Sequence, residues 1–113
     1  KQSILKKIDF LGLTNIRLID GSFEDTMKKF NPKKGLISGI FDCDLYKSYK
    51  ICFNFLWPHL NKKGQIYLDE YYSLKFPGAK IACDEFVEMN NAKLFKYKNK
   101  NISDFERWGM LKI

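Results

Sequence analysis

Three consecutive pieces decide the fold: G-L-I-S-G-I-F-D-C-D at 35–44, L-Y-K-S-Y-K-I-C-F-N-F-L-W at 45–57, and G-Q-I-Y-L-D-E at 64–70. The first is a nearly continuous apolar run of strand length that stops at Phe41, the pattern of a strand buried on both faces. In the second, apolar residues at 45, 46, 49, 52, 53, 56 and 57 follow helical spacing, and Pro58 marks its end. The third reads as a short strand entered through Gly64. Strand, helix and strand in this order make one crossover between parallel strands, so an α/β layer is expected.

The same alternation extends both ways. Upstream, Ser3 to Phe10 reads as a short helix stopped at Gly12, and Asn15 to Asp20 as a strand. Ser22 opens S-F-E-D, a capping-box-like start with acids in the first turn, and the helix it begins runs to Phe30 before Pro32. Downstream, Ala79 to Asn90 is amphipathic, and Lys93 to Lys98 and Phe105 to Lys112 alternate well enough to form an antiparallel pair.

A chain of 113 residues has room for one domain, and ten Phe, six Tyr and two Trp build a core without staples. Cys43, Cys52 and Cys83 are odd in number and lack C-x-x-C spacing. That argues against a disulfide framework or structural zinc, and for a reducing compartment. With no signal peptide and no apolar run long enough to span a bilayer, a cytoplasmic protein without membrane contact is expected. The net charge of +7 is carried largely by lysine pairs at element ends, which reads as a solvated surface. Lys96, Tyr97, Lys98 and Lys100 match no RNA-binding motif, so no nucleic-acid partner is expected.

In open α/β sheets, ligands gather beyond the carboxyl ends of the strands. There the chain carries Asp42 and Asp44 after one strand, and Asp69 and Glu70 after the next. Asp44 is read first as the cap of the following helix. Asp42, Asp69 and Glu70 converge at one rim if the strands are neighbours. Three such carboxylates repel one another unless a cation or protons sit among them, and hard oxygen ligands suit Mg²⁺ or Ca²⁺. The alternative is that they are solvated loop acids. His59, the only histidine, reads as a packing or surface residue, and no cysteine has a histidine partner close in sequence. The aromatic stripe Tyr49, Phe53 and Trp57 reads as core.

Four blocks, I-R-L-I-D-G-S-F-E-D-T-M, F-D-C-D-L-Y-K-S-Y, W-P-H-L-N-K-K-G-Q-I-Y-L-D-E-Y and P-G-A-K-I-A-C-D-E-F, resemble the macrocin O-methyltransferase family over roughly residues 15–87. The resemblance implies the C-terminal part of a Rossmann-like class I methyltransferase sheet, mostly parallel with a final antiparallel pair. It implies a partial methyltransferase domain over residues 1–113 that uses S-adenosylmethionine and a divalent metal such as Mg²⁺ to methylate sugar or glycan hydroxyls. By motif, Asp42, Asp69 and Glu70 would hold the metal, with Asp42 also beside the methyl-transfer centre. Gly21, Ser22 and Phe23 would form the loop passing the cofactor's adenine, and Gly78 and Ala79 would lie on the acceptor side.

The departures from the pattern are an Asp69-Glu70 pair for two aspartates, Lys63-Gly64 for two glycines, and Lys47 and Tyr49 for an acid and a threonine. The glycine-rich turn and ribose-binding acid of the family have no counterpart before Asn15. The chain alone is therefore expected to have little methyltransferase activity. A complementing N-terminal half or a homodimer would be needed to fill the sheet. The alternative function is a non-catalytic α/β dimerisation or binding module.

Overall fold

The computed structural model describes residues 1–98 and 106–113, in two units, Lys1–Phe30 and Asn31–Ile113. The first unit holds α1 (Gln2–Phe10) and α2 (Phe23–Lys29). Gly12, at φ +65°, ends α1 as expected. Its N–H donates to the Asp9 carbonyl at 2.9 Å and that of Leu13 to Ile8 at 3.1 Å. Ser22 caps α2, accepting from the Asp25 N–H at 3.4 Å while its hydroxyl donates to the Asp25 carboxylate at 2.8 Å. This is the N-cap expected from S-F-E-D, with Asp25 bonding to the Ser22 hydroxyl in place of the backbone N–H of a full capping box.

Asn15 to Asp20, expected as a strand, is irregular, and Ile16 and Ile19 are each 48% exposed. A strand needs a neighbour to take its N–H and C=O groups. The described residues of this unit offer only helices, so the apolar pattern has nothing to pair with.

The second unit contains β1 (Leu36–Phe41), α3 (Tyr46–His59), β2 (Leu60–Leu68), α4 (Pro77–Met89), β3 (Ala92–Lys96) and β4 (Trp108–Lys112). The sheet order is β1-β2-β4-β3. β1 and β2 are parallel, with Phe41 opposite Leu68, and β4 is antiparallel to both β2 and β3. This is the expected α/β layer with its closing antiparallel pair, although Lys100 and Phe105 lie outside the described residues. Helix α3 runs one residue past Pro58. The Trp57 and Leu60 carbonyls near its end accept from Lys112 Nζ at 2.6 and 2.7 Å, the Trp57 carbonyl also accepting from the Leu60 N–H.

Gly64, Ile66 and Leu68 are the inward, buried positions of β2, beneath the layer that α3 and α4 form. Phe53 is the centre of that layer. Its ring stacks on Phe86 at 4.2 Å and tilts against Phe41 at 4.9 Å. β1 departs from its expected burial on both faces. Phe41 is buried, but Ile37 and Ile40 are 77% and 76% exposed. β1 lies at the edge of the described sheet and pairs only with β2, so its apolar residues outnumber the surfaces that cover them. Among the described residues, no helix is long and apolar enough to cross a membrane.

Between Leu36 and Ser38 the β1–β2 register jumps from Leu60 to Gln65, so Asn61 to Gly64 bulge out of the ladder. The bulge needs Lys63 at φ +65°, and a Cβ on Gly64 would lie 2.8 Å from the Asn61 carbonyl oxygen. Lys63-Gly64 thus fills a two-glycine turn with one lysine in the left-handed region. Replacing Lys63 by Gly should relieve a strain of about 1–2 kcal/mol and return part of it as backbone entropy. The expected result is a gain of about 0.5–1 kcal/mol, read as a melting temperature a few degrees higher, with Gly64→Ala lowering it.

Candidate functional site

Because β1 and β2 end in register, the residues after Phe41 and after Leu68 leave the sheet side by side, and the Asp69 N–H donates to the Phe41 carbonyl at 3.0 Å. Asp44 does not cap α3. The N-cap is Leu45, with no side-chain cap hydrogen bond. Asp44 is instead the centre of a three-residue turn, at φ +59°, in which the Leu45 N–H donates to the Cys43 carbonyl at 2.6 Å. Asp42, Asp44 and Glu70 each offer an oxygen within 4.8 Å of the others. Asp69 stands outside this group. It lines a cleft of about 630 Å³ with Tyr67, Tyr72, Ser73, Glu106 and Arg107.

Glu70 is only 3% exposed. The Tyr49 hydroxyl, itself fully buried, donates to Glu70 Oε2, accepts from the Glu70 N–H at 3.3 Å and lies 3.2 Å from the Phe41 carbonyl oxygen. One phenolic proton cannot serve two acceptors at once. Glu70 Oε1 is buried without a hydrogen-bond partner among the described residues. Burial pushes the Glu70 carboxyl up to about 7, against a lowering by the Tyr49 hydroxyl, and Asp42 and Asp44 raise it further. Burial and the Glu70 contact also push Tyr49 well above the usual phenol range.

In the first unit, Gly21 and Ser22 line a separate cleft of about 420 Å³ with Arg17, Asp20, Thr26 and Phe30. Gly21 sits at φ +132°, and a Cβ there would meet Thr26 Cγ2 at 2.9 Å. Phe23 is on the first turn of α2, 39% exposed, and is not among the lining residues.

The other sequence candidates are structural. Gly78 lets the start of α4 approach Tyr46, and Ala79 is fully buried. His59 tilts against the Phe55 ring at 5.4 Å. Lys96 pairs with Glu106 at 2.6 Å at the end of the antiparallel ladder. Tyr49 is buried in the core as its stripe implies, and what that reading misses is the hydrogen bond its hydroxyl gives Glu70. The family pattern has a threonine at that position, and both side chains carry a hydroxyl.

The model of the macrocin O-methyltransferase family matches residues 2–99. The chain belongs to that family. Among solved structures, apo CalS11, a TDP-rhamnose 3'-O-methyltransferase of calicheamicin biosynthesis, superposes with a TM-score of 0.71 at 24% identity. That match covers 98% of this chain and 50% of CalS11. A second structure of CalS11 gives the same score and identity over 98% of this chain and 46% of that one. An rRNA methylase from Streptococcus thermophilus superposes with a TM-score of 0.65 at 16% identity, over 99% and 68% of the two chains. These likenesses show the methyltransferase fold, and the chain spans about half the length of CalS11. No curated protein matches the sequence.

For a macrocin O-methyltransferase family member, the acids at the strand ends set a pH test. Glu70 is harder to ionise folded than unfolded, so its contribution to stability is full below its unfolded value near 4.5 and is lost as pH rises through about 7. In EDTA, stability should fall over that window by at most about 1.4 kcal/mol per pH unit. Urea melts at stepped pH would read this slope, and Glu70→Gln should flatten it. A slope unchanged in that variant would assign the effect elsewhere.

Proposed function

We propose that this chain carries the metal-binding and acceptor-side part of an S-adenosylmethionine- and divalent-cation-dependent sugar O-methyltransferase. The observation that supports it best is the buried, unpartnered Glu70 Oε1 facing a group of carboxylates. A hard-oxygen set with an orphaned acceptor fits a cation such as Mg²⁺. Asp42 and Glu70 are its main ligands, Asp69 joins them on the family pattern, and Asp44 joins them on the geometry. When bound, the cation would orient vicinal sugar oxygens and lower the pKa of the acceptor hydroxyl. S-adenosylmethionine would supply the methyl group as a sulfonium.

The protein's own groups have distinct tasks in this reading. Asp42, exposed at the end of β1, takes up the acceptor's proton. Tyr49 holds Glu70 in one position, so that the carboxylates are oriented before the acceptor arrives. The cleft beside Asp69, with the faces of Tyr67 and Tyr72, suits a sugar-type acceptor. Gly21, Ser22 and Phe23 form the adenine-side loop. The methionine-binding turn and ribose acid of the family come from polypeptide that pairs with the open edge of β1, where Ile37 and Ile40 are exposed. The same edge also favours the second reading, a non-catalytic module that dimerises there.

Two titrations of the isolated chain separate these readings. Mn²⁺ calorimetry should show one saturable site, weakened about tenfold or more by Asp42→Asn or Glu70→Gln and less by Asp44→Asn or Asp69→Asn. No Mn²⁺ binding by the folded chain would remove the metal reading. S-adenosylmethionine should bind only weakly to the chain alone, with or without Mg²⁺. Saturable micromolar binding would overturn the need for further strands at β1.

A further inference from the structure

The side chain between the two aspartates of the β1–α3 loop has a partner that the proposed chemistry does not use. Cys43 Sγ lies 4.0 Å from Cys52 Sγ, one hydrogen bond away across the first turns of α3. Both are free thiols, Cys43 half-buried and Cys52 buried, while Cys83 is a third, buried in α4. We propose that Cys43 and Cys52 form a reversible disulfide that switches the acidic loop between two arrangements.

The chemistry is thiol–disulfide exchange with a small disulfide such as oxidised glutathione. The half-buried Cys43 sulfur attacks one sulfur of the oxidant, whose S–S bond breaks and releases one thiol. Cys52 then attacks the Cys43 sulfur of the mixed disulfide, forming the Cys43–Cys52 bond and releasing the second thiol. The two cysteines lose two electrons and two protons, and the oxidant leaves as two thiols. The ring closed is short and local, so it requires no rearrangement of the sheet.

The consequence follows from which end can move. Bonding brings the sulfurs from 4.0 Å to about 2.05 Å. Cys52 sits inside α3, held on its buried face next to Phe53, whereas Cys43 sits in a turn whose central residue, Asp44, already has a positive φ. The loop moves toward the helix, and it carries Asp42 and Asp44 on either side of the sulfur that is pulled. The disulfide therefore changes the placing of these acids relative to Glu70, which Tyr49 holds in place. The effect on cation binding rests on the metal reading above; the disulfide itself does not.

The test uses the whole chain with oxidised glutathione, then dithiothreitol. Intact mass should fall by about 2 Da with one of three thiols left free, and peptide mapping should join Cys43 to Cys52. Mn²⁺ affinity should fall about tenfold on oxidation and recover on reduction, and Cys43→Ser should abolish both the cross-link and the response. Only mixed glutathione adducts, or a cross-link through Cys83, would overturn the disulfide. A mapped Cys43–Cys52 bond that leaves Mn²⁺ affinity unchanged would overturn the switch. If the reduced chain binds no Mn²⁺, the metal reading fails and the switch with it, while the mapping still decides the disulfide.

Discussion

A single phenol ties the working rim of this protein together. The Tyr49 hydroxyl touches the last carbonyl of β1 and both the backbone and the side chain of Glu70, just beyond β2. A hydrogen bond to a buried charged group contributes roughly 1.5–3 kcal/mol, and losing one partner leaves the other exposed to the full cost of desolvation. Tyr49 can do this only because the core fixes its ring, edge-on to Phe41 at 5.6 Å and to Phe53 at 6.1 Å. Aromatic packing of α3 on the sheet thereby becomes positional accuracy at the strand ends. The parallel register of β1 and β2 brings Asp42 and Glu70 together, and the phenol stops Glu70 from swinging out to water.

Much of this was legible before any coordinates. The period of residues 45–57 and the apolar runs on either side are local signals, and each became the element its pattern implied. Asn15 to Asp20 has a strand's pattern too, but a strand is a relation between segments, and its own unit supplies no second segment. The same physics left Ile37 and Ile40 exposed, because a run of apolar residues states a demand for burial without showing what will meet it. Asp44 misled for a different reason. Aspartate before a helix is ordinarily a cap, and only the backbone reveals that its positive φ places it in a turn and groups it with Asp42 and Glu70. The Tyr49–Glu70 bond joins positions 21 apart, and no periodicity reports that.

Net charge is a poor guide to the field at this rim. The chain carries +7, yet its basic groups are spread over the surface. None of the described ion pairs, Lys1–Asp20, Lys50–Glu85, Lys80–Asp84 and Lys96–Glu106, includes a strand-end acid. Such exposed pairs contribute little to stability. Beyond about one Debye length, roughly 8 Å, the surrounding lysines are screened from the rim. The Glu70 carboxyl is governed first by its burial, which raises its pKa, with the Tyr49 hydroxyl opposing the rise and Asp42, Asp44 and Asp69 adding to it. In the proposed reading, a proton on Glu70 near neutral pH and a cation among the oxygens would compete for the same site.

The competition explains why several unfavourable features coincide in one place. A buried carboxylate oxygen without a partner, three acids within reach of one another and a non-glycine residue at positive φ each cost stability. Elsewhere in the second unit, apart from Lys63 in its bulge and the exposed Ile37 and Ile40 of β1, the local rules agree with the fold: alternating strands, stacked aromatics and a helix end closed by Lys112. A glycine in place of Asp44 would relieve the positive φ there. Apart from the Lys63 bulge, the backbone strain and the unpartnered buried oxygen among the described residues of this unit gather at the carboxyl ends of two adjacent parallel strands, where the proposed cation would sit. The cost of holding the acids together becomes binding free energy once a positive charge sits among them.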